Sequence, residues 1–556
     1  MTTPTMTGLR LWHALALLSV FWAGIYLPGL GNEELKGEEP RRVLPGLEMI
    51  RSGNWINPVV AGEAYHRKPP LTNWVTAAGV LALGRVDELA VRLPITLFVL
   101  AFACATCLAV HRMAGTDTGF LAGVFILTNI GMMEKGRLAE IEGIYVSLTG
   151  LAFAAWFAFA APRWAVDSPR QRPWPGWLLA GPLLGLAFLA KGPPHLLLFY
   201  AVLCGVWWRT GKWRDALHPA HGVGILLAIL VALPWFLASS HGGDATVASP
   251  AGGQRDMLGE LTSRLDPGQL DATGWLLQLF QGPGNYLPWI LILLVPAIPP
   301  LRRRCGLDAS PRLLTGLLAG CLAGYLLIAL TPAARARFTL PLMGPAAVAT
   351  ALALVASTRG HMLTRPWRIA LRVLPFVVGL AAVALPWVVE PSARAGCVVA
   401  SVLAIGLVVL VWEGTRRWPE QPVNLAVTSA IVMVAAMALY ATGIQSIKAR
   451  DENLRPTGIA LRAALQPDEK AILYRAGLQP WVFYAWGRVT EVPLAKNLPD
   501  SLSGPVVLPA GRWPAEQARL EKRYGPAVSQ ISLPNRWNNK DLLIVRFGGA
   551  AARQAP

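Results

Sequence analysis

For its first 445 residues the chain alternates long apolar runs with short polar links marked by proline and glycine. A membrane-spanning helix needs about 20 mostly apolar residues. Such runs predict spans at 10–29, 91–111, 116–133, 140–161, 175–190, 193–208, 222–239, 276–300, 313–330, 336–355, 368–389, 395–413 and 423–444, thirteen in all. The run 71–84 is apolar but short and reads as a helix lying at the membrane interface. The first run has no small-residue cleavage site, so it reads as a retained span and not a removed signal peptide. Beyond 445 the pattern changes. Apolar runs of strand length (AILYRAG, WVFYAW, PVVLPAG, LLIVRFG) alternate with helical stretches such as GIALRAAL and AEQARLEKRY. That alternation predicts a small α/β domain. The expected architecture is a polytopic α-helical membrane protein: a transmembrane domain over 1–445, with 31–90 as its first external loop, and an α/β domain over 446–556. The Gly-, Ser- and Asp-rich stretch 240–274 reads as an external, flexible link, and no internal repeat is visible.

Composition sharpens this picture. Hydrophobic residues make up 54% of the chain and charged residues 15%, against about 25% charged in a soluble globular protein. The net charge of +18 could suit a nucleic-acid binder, but the basic residues sit in short links between apolar runs. That placement fits the positive-inside rule and anionic headgroups instead. With the N-terminus in the cytoplasm, five basic links fall inside: those holding Arg163, Arg170 and Arg172; Arg209, Lys212 and Arg214; Arg302, Arg303 and Arg304; Arg359 and Arg365; and Arg416 and Arg417. The opening loop and everything after Gln445 then lie outside, in the periplasm of a bacterial cell. The CxxC of Cys104 and Cys107 falls mid-span with no second pair nearby, which reads as packing and not as a metal site.

On that outer side, ionisable residues gather near span ends: Glu38, Glu39, Arg41, Arg42, Lys68, Glu140, Glu142, Lys191, Arg335 and Arg337. Charges at membrane depth are costly and usually face a cavity or a partner. Carboxylates can orient or deprotonate a hydroxyl, while Arg and Lys can hold a phosphate. Each has a plainer reading beside it. Glu33 and Glu34 read as a solvated loop edge, Lys68 as an interfacial lysine, and Arg335 and Arg337 as headgroup anchors. Glu140 or Glu142 could only cap a helix, and His195 and His241 read as structural.

The order of several short motifs carries a resemblance. Glu38-Glu39-Pro40-Arg41, then SGNWINP, then Lys68-Pro69-Pro70-Leu71 with Trp74, is similar to the first external loop of the C-type glycosyltransferases. It most resembles the protein O-mannosyltransferase superfamily and the bacterial aminoarabinose transferases that modify lipid A. RLAEIEG at 137–143, AFLAKGPP at 187–194, LPWF at 233–236, NYLPW at 285–289 and RARFTLPLMGP at 335–345 resemble later landmarks, so the similarity covers roughly 1–360. The resemblance implies a polyprenyl-phosphate sugar donor and transfer, usually with inversion, to an acceptor hydroxyl on lipid A, another glycan, a lipid or a protein. It implies catalytic acids at Glu38 and Glu142, and donor-phosphate contacts from Arg41, Lys68 and Lys191. Glu39, Tyr65, Tyr286 and Arg337 are expected in the substrate cavity. No metal ligand is assigned, and a divalent metal stays open as a cofactor. Three positions depart from the family pattern. Glu replaces Asp at both acidic positions, Arg42 replaces the usual Tyr, and Arg67 precedes Lys68 where some relatives have an acid. The rival readings are a flippase or transporter of a lipid-linked glycan and an inactive envelope scaffold. The charges at span ends and the lack of two-half symmetry weigh against a transporter.

Overall fold

The computed structural model describes residues 8–548, apart from 66–67, 163–170, 242–265, 267, 269–271, 308–310, 333–334, 358–360, 418–420, 452–453, 478–479, 493 and 535–540. Arg67, Arg163, Arg170, Arg359 and most of the predicted link 240–274 therefore lie outside the described residues. The chain divides into two compact units, Met1–Leu30 with Arg92–Leu237 and Met257–Ser446, and Gly31–Val91 with Ala238–Asp256 and Ile447–Pro556.

The first unit is helical. Among the described residues, nine helices are long and apolar enough to cross a membrane, and Leu11–Tyr26 and Thr116–Leu127 are shorter apolar helices. The chain is a polytopic helical membrane protein. Helices His361–Val388 and Pro391–Arg417 show why no soluble reading works. Leu380, Trp387 and Val402 are 71%, 84% and 64% exposed, and a continuous apolar face of that kind is stable only against lipid.

Helices within the unit approach closely where small residues recur every fourth position. Gly316 and Gly320 of Arg312–Ala329 face Gly205 of Pro194–Thr210. A Cβ on Gly320 would lie 2.5 Å from Val202 Cα, so the seam requires the bare backbone. Gly181 and Gly185 make a similar seam, with backbone atoms of Gly224 and Ala228 against them. Two buried arginines hold the end of the first helix. Arg92 donates to the Leu30 carbonyl at 3.0 Å, and Arg137 donates to the carbonyls of Ile25 and Pro28 at 2.6 and 2.5 Å. Cations there satisfy carbonyls that a helix C-terminus leaves open.

The predicted span 276–300 is not one helix. It consists of Ala272–Gly284, a turn, Ile290–Leu293 and a 3₁₀ turn at Val295–Ala297. Gly282-Pro283-Gly284, Pro288 and Pro296 explain the breaks, since each proline removes a backbone donor and crowds the preceding turn.

The second unit joins the first loop to the tail. The loop holds helix Glu39–Ser52, the two-residue hairpin of β1 (Val59–Val60) and β2 (Glu63–Ala64), and helix Leu71–Leu83. The two helices pack so closely that a Cβ on Gly46 would meet the Asn73 carbonyl oxygen at 2.7 Å. The tail carries a five-stranded sheet in the order β4-β3-β5-β7-β6. Its strands are β3 (Ala471–Tyr474), β4 (Val489–Val492), β5 (Val506–Pro509), β6 (Ala527–Leu533) and β7 (Leu542–Phe547). β3 is parallel to β4 and β5, while β7 is antiparallel to β5 and β6. Helix Trp513–Tyr524 buries Trp513, Leu520 and Tyr524 against Ile472, Val506, Leu508 and Val545. The run WVFYAW, predicted as a strand, is instead a 3₁₀ segment at Pro480–Phe483 followed by a hydrogen-bonded turn. Trp481, Val482 and Phe483 are all buried, so their continuous apolar pattern comes from a submerged turn and not from a sheet.

Glu34 is not a solvated edge, contrary to the sequence expectation. Its carboxylate accepts the backbone N–H groups of Leu454 and Arg455 at 2.7 and 2.9 Å, which caps the N-terminus of helix Arg455–Ala464. Arg455 in turn pairs with buried Glu88 at 2.7 Å, and the Tyr484 hydroxyl donates to the same Glu88 oxygen at 2.7 Å. Lys470 meets Glu48 at 3.3 Å, and the Glu491 N–H donates to the Ala61 carbonyl at 2.8 Å. Glu33 pairs with Lys36.

Candidate functional site

The membrane unit gathers three of the expected residues into one ionic cluster. Glu142 lies in the first turn of helix Ile141–Phe159, and Lys191 closes helix Pro173–Lys191. These neighbouring helices bring an N-terminus and a C-terminus together, and each charge sits at the helix end whose dipole favours it. Gly192, with φ of 101°, and the prolines after it stop the second helix at Lys191. Lys191 Nζ donates to Glu142 Oε1 at 3.1 Å. Arg337, on the 3₁₀ stretch Ala336–Leu342, reaches the same oxygen at 3.2 Å. The side chains of Glu142 and Lys191 are 6% and 10% exposed, and that of Arg337 is 26% exposed. The Tyr145 and Phe338 rings flank the ammonium at 5.0 and 4.7 Å from their centroids. Two cations thus converge on one carboxylate oxygen under partly apolar walls, and Lys and Arg are the side chains that hold a phosphate.

The surrounding residues hold this cluster in place. Tyr286 is buried, and its hydroxyl donates to the Thr339 carbonyl at 2.5 Å, so it braces the stretch that carries Arg337. Both ring nitrogens of His195 lie 3.0 Å from backbone carbonyls, those of Gly192 and Leu184. His195 thus pins the reversal after Lys191, the structural role expected of it. Sequence reading missed Lys135, which meets Glu134 at 2.9 Å and Glu140 at 3.4 Å. Burial works against its charge, but Glu140, with Glu134 and Glu142, outweighs that and raises its pKa. It also missed Phe338. The available signal was Lys135 lying between two acids, five and seven residues before Glu140 and Glu142.

The second unit holds the other expected residues. Glu38 is the residue before helix Glu39–Ser52, with its side chain 40% exposed. It pairs with Arg41 at 3.6 Å and Arg42 at 3.3 Å. Arg42 is buried and donates to the Tyr65 hydroxyl. Glu39 is fully buried and accepts the Lys36 N–H at 3.0 Å. That bond closes the turn preceding the helix and fixes the direction of Glu38. Lys68 is half-buried, with buried Pro69 and Pro70 leading into helix Leu71–Leu83. Among the described residues no group of three or more His, Cys, Asp or Glu is arranged to hold a metal ion.

Residues 67–237 match the family described as dolichyl-phosphate-mannose-protein mannosyltransferase. The undecaprenyl phosphate-alpha-4-amino-4-deoxy-L-arabinose arabinosyl transferase of Edwardsiella ictaluri is 29% identical over 230 residues, covering 41% of this chain and 40% of the relative. An arabinosyl transferase of the same description from Sodalis glossinidius is 30% identical over 240 residues, covering 42% and 41%. The chain spans about two fifths of the length of the curated relatives it matches. The crystal structure of ArnT from Cupriavidus metallidurans bound to undecaprenyl phosphate superposes over 98% of both chains, with a TM-score of 0.68 and 18% identity. The chain thus shares the fold of that crystal structure, and over residues 67–237 it is similar to the mannosyltransferase family.

Proposed function

We propose that the protein is a membrane glycosyltransferase that moves a sugar from a polyprenyl-phosphate donor to an acceptor hydroxyl. The observation that carries this reading is the buried Glu142–Lys191–Arg337 cluster. In the reaction the bond between the anomeric carbon and the phosphate oxygen breaks, and the acceptor oxygen takes its place. The polyprenyl phosphate leaves as a monoester carrying added negative charge. Lys191 and Arg337 stabilise that charge from fixed positions, and Glu142 holds both cations in place. Glu38 takes the role the resemblance gives it, orienting the acceptor hydroxyl and receiving its proton, with Arg41 and Lys68 as further phosphate contacts. The arabinosyl transferase relatives favour a cell-envelope glycolipid such as lipid A as acceptor, with a protein as the second candidate.

In this reading the nine long helices are joined by Leu11–Tyr26, Thr116–Leu127, Pro194–Thr210 and the broken stretch 272–297 as further crossings, which gives the thirteen expected from the sequence. An odd number puts the two termini on opposite sides. With the basic links on the inside, this reading has the N-terminus in the cytoplasm and the loop 31–90 with the tail in the periplasm of a bacterial inner membrane. The test is transfer by purified protein from a panel of polyprenyl-phosphate sugars, reading both the labelled acceptor and the released polyprenyl phosphate. Wild type should transfer from at least one donor, while Glu38→Gln and Lys191→Ala should each lose most of the rate. Full transfer by both variants would remove these assignments. Movement of intact glycolipid across liposomes without transfer would instead favour a flippase.

A further inference from the structure

The geometry points to a second binding site, in the tail-and-loop unit, for the negatively charged head of a saccharide: a sugar phosphate or a sugar acid. A pocket of about 290 Å³ lies between the stretch Arg85–Leu89 and helix Arg455–Ala464, with Tyr484 and Trp486 on its wall. That volume is at the low end of small-molecule sites, which run from about 300 Å³ upward, and it suits a single sugar ring better than a lipid chain.

The charges in the pocket are divided unequally. Glu88 is engaged by Arg455 and by the Tyr484 hydroxyl, and Asp87 is paired with Arg85. Arg462 has no carboxylate partner among the described residues. Its guanidinium instead lies 4.3 Å from the centroid of the Trp486 ring. Two acids are thus neutralised while one cation faces the pocket uncommitted, so an anion is favoured there.

Trp486 supplies the second observation. It has φ of 55°, in the left-handed region, and the residue is 44% exposed. A bulky residue in that conformation stores strain that the surroundings must hold, and such strain gathers at functional sites. The holding groups are visible. The Trp486 N–H donates to the Phe483 carbonyl at 2.8 Å, and Arg51 donates to the Trp486 carbonyl. The ring is therefore kept at the pocket wall and not buried in a core. A flat aromatic face beside a stacked guanidinium matches the two faces of an anionic sugar. The C–H face lies on the indole and the phosphate or carboxylate meets the Arg462 fork. Ile459, 46% exposed, extends the apolar floor.

This site does not depend on the proposed transfer reaction, so it is tested by binding alone. Full-length protein in neutral detergent is titrated calorimetrically with glucose 1-phosphate, glucuronate, glucose and inorganic phosphate. A parallel arm uses glucuronosyl diacylglycerol in phosphatidylcholine nanodiscs. Wild type should bind glucose 1-phosphate more tightly than glucose or inorganic phosphate, with affinity falling as salt rises. Arg462→Ala should weaken the anionic sugars by about ten- to a hundredfold, the scale of charge-assisted hydrogen bonds, and leave glucose nearly unchanged. Trp486→Gly suits the left-handed backbone, so its melting temperature should stay at or above wild type while all sugars lose affinity. Tight binding only in nanodiscs would identify a lipid-borne sugar, and binding in both arms a free one; either supports the site. Unchanged binding in both variants, inorganic phosphate binding as well as the sugar phosphate, or no binding in either arm would overturn it.

Discussion

Replacing Lys191 by methionine tests whether the membrane cluster is a coupled unit. The substitution keeps an unbranched side chain one atom shorter and removes its charge from beside a carboxylate that is 6% exposed. Breaking a buried ion pair by deleting one partner costs about 3–5 kcal/mol, because the remaining charge is left without compensation. Arg337 stays 3.2 Å from Glu142, so the expected cost is at the lower end, about 3 kcal/mol. Glu142→Gln removes the carboxylate from between two cations and should cost a similar amount. The double variant leaves a single, partly exposed arginine and relieves both faults. It should therefore fall short of the sum of the single costs by about 1.5–3 kcal/mol. The assay is reversible unfolding in mixed micelles with increasing SDS, followed by far-ultraviolet circular dichroism for wild type, both single variants and the double. Additivity within about 0.5 kcal/mol would show that the groups act independently and would refute the cluster as a unit.

Other expectations follow from the same reasoning. Gly320→Leu should lower the melting temperature in detergent sharply or prevent folding, because its Cβ would meet Val202 Cα at 2.5 Å; a melting temperature equal to wild type would contradict the close seam. Arg455→Ala should destabilise the protein by about 3 kcal/mol by leaving buried Glu88 without its cation, and Glu88→Gln added to it should recover part of the loss in chemical denaturation. Glu469 accepts hydrogen bonds from Arg546, which outweigh burial and hold its pKa below the usual 4.5. Its stabilising contribution is therefore full above that value and lost as pH falls through the lowered one, and Glu469→Gln should flatten this part of the acid limb in pH-dependent melting. Glu34 has the opposite sign. Burial raises its pKa despite the N–H groups of Arg455 and Leu454, so its contribution is present below 4.5 and lost as pH rises through the raised value, and Glu34→Gln should remove that decline.

Much of the membrane part is legible from apolar run length alone, because lipid imposes a minimum span on every crossing. The broken stretch 272–297 was not, since its prolines are spaced so that apolar content hides them from a length criterion. In the tail, AILYRAG, PVVLPAG and LLIVRFG contain β3, β5 and β7. β6 escaped because AVSQISL sits at the sheet edge with six of its seven positions half-buried or exposed, so its polar residues break up the apolar pattern. For the candidate site, residue types and their order pointed to Glu142, Lys191 and Arg337. What the sequence could not supply was pairing. Glu142 and Lys191 are 49 residues apart, and only the antiparallel packing of two helices brings their ends level. Glu34 was misread for the same reason: its partners lie 420 and 421 residues downstream, beyond any local pattern.

That last separation bears on how the molecule is made. Ribosomes add about 5–20 residues per second, so the loop bearing Glu38 and Lys68 waits roughly 20–80 s, by that rate, for the backbone donors at Leu454 and Arg455 to exist at all. A nascent chain halted before the tail would carry every apolar helix yet lack the groups that anchor this loop. Completion of synthesis thereby becomes a condition for assembling the loop, and prematurely terminated products should expose it to proteases.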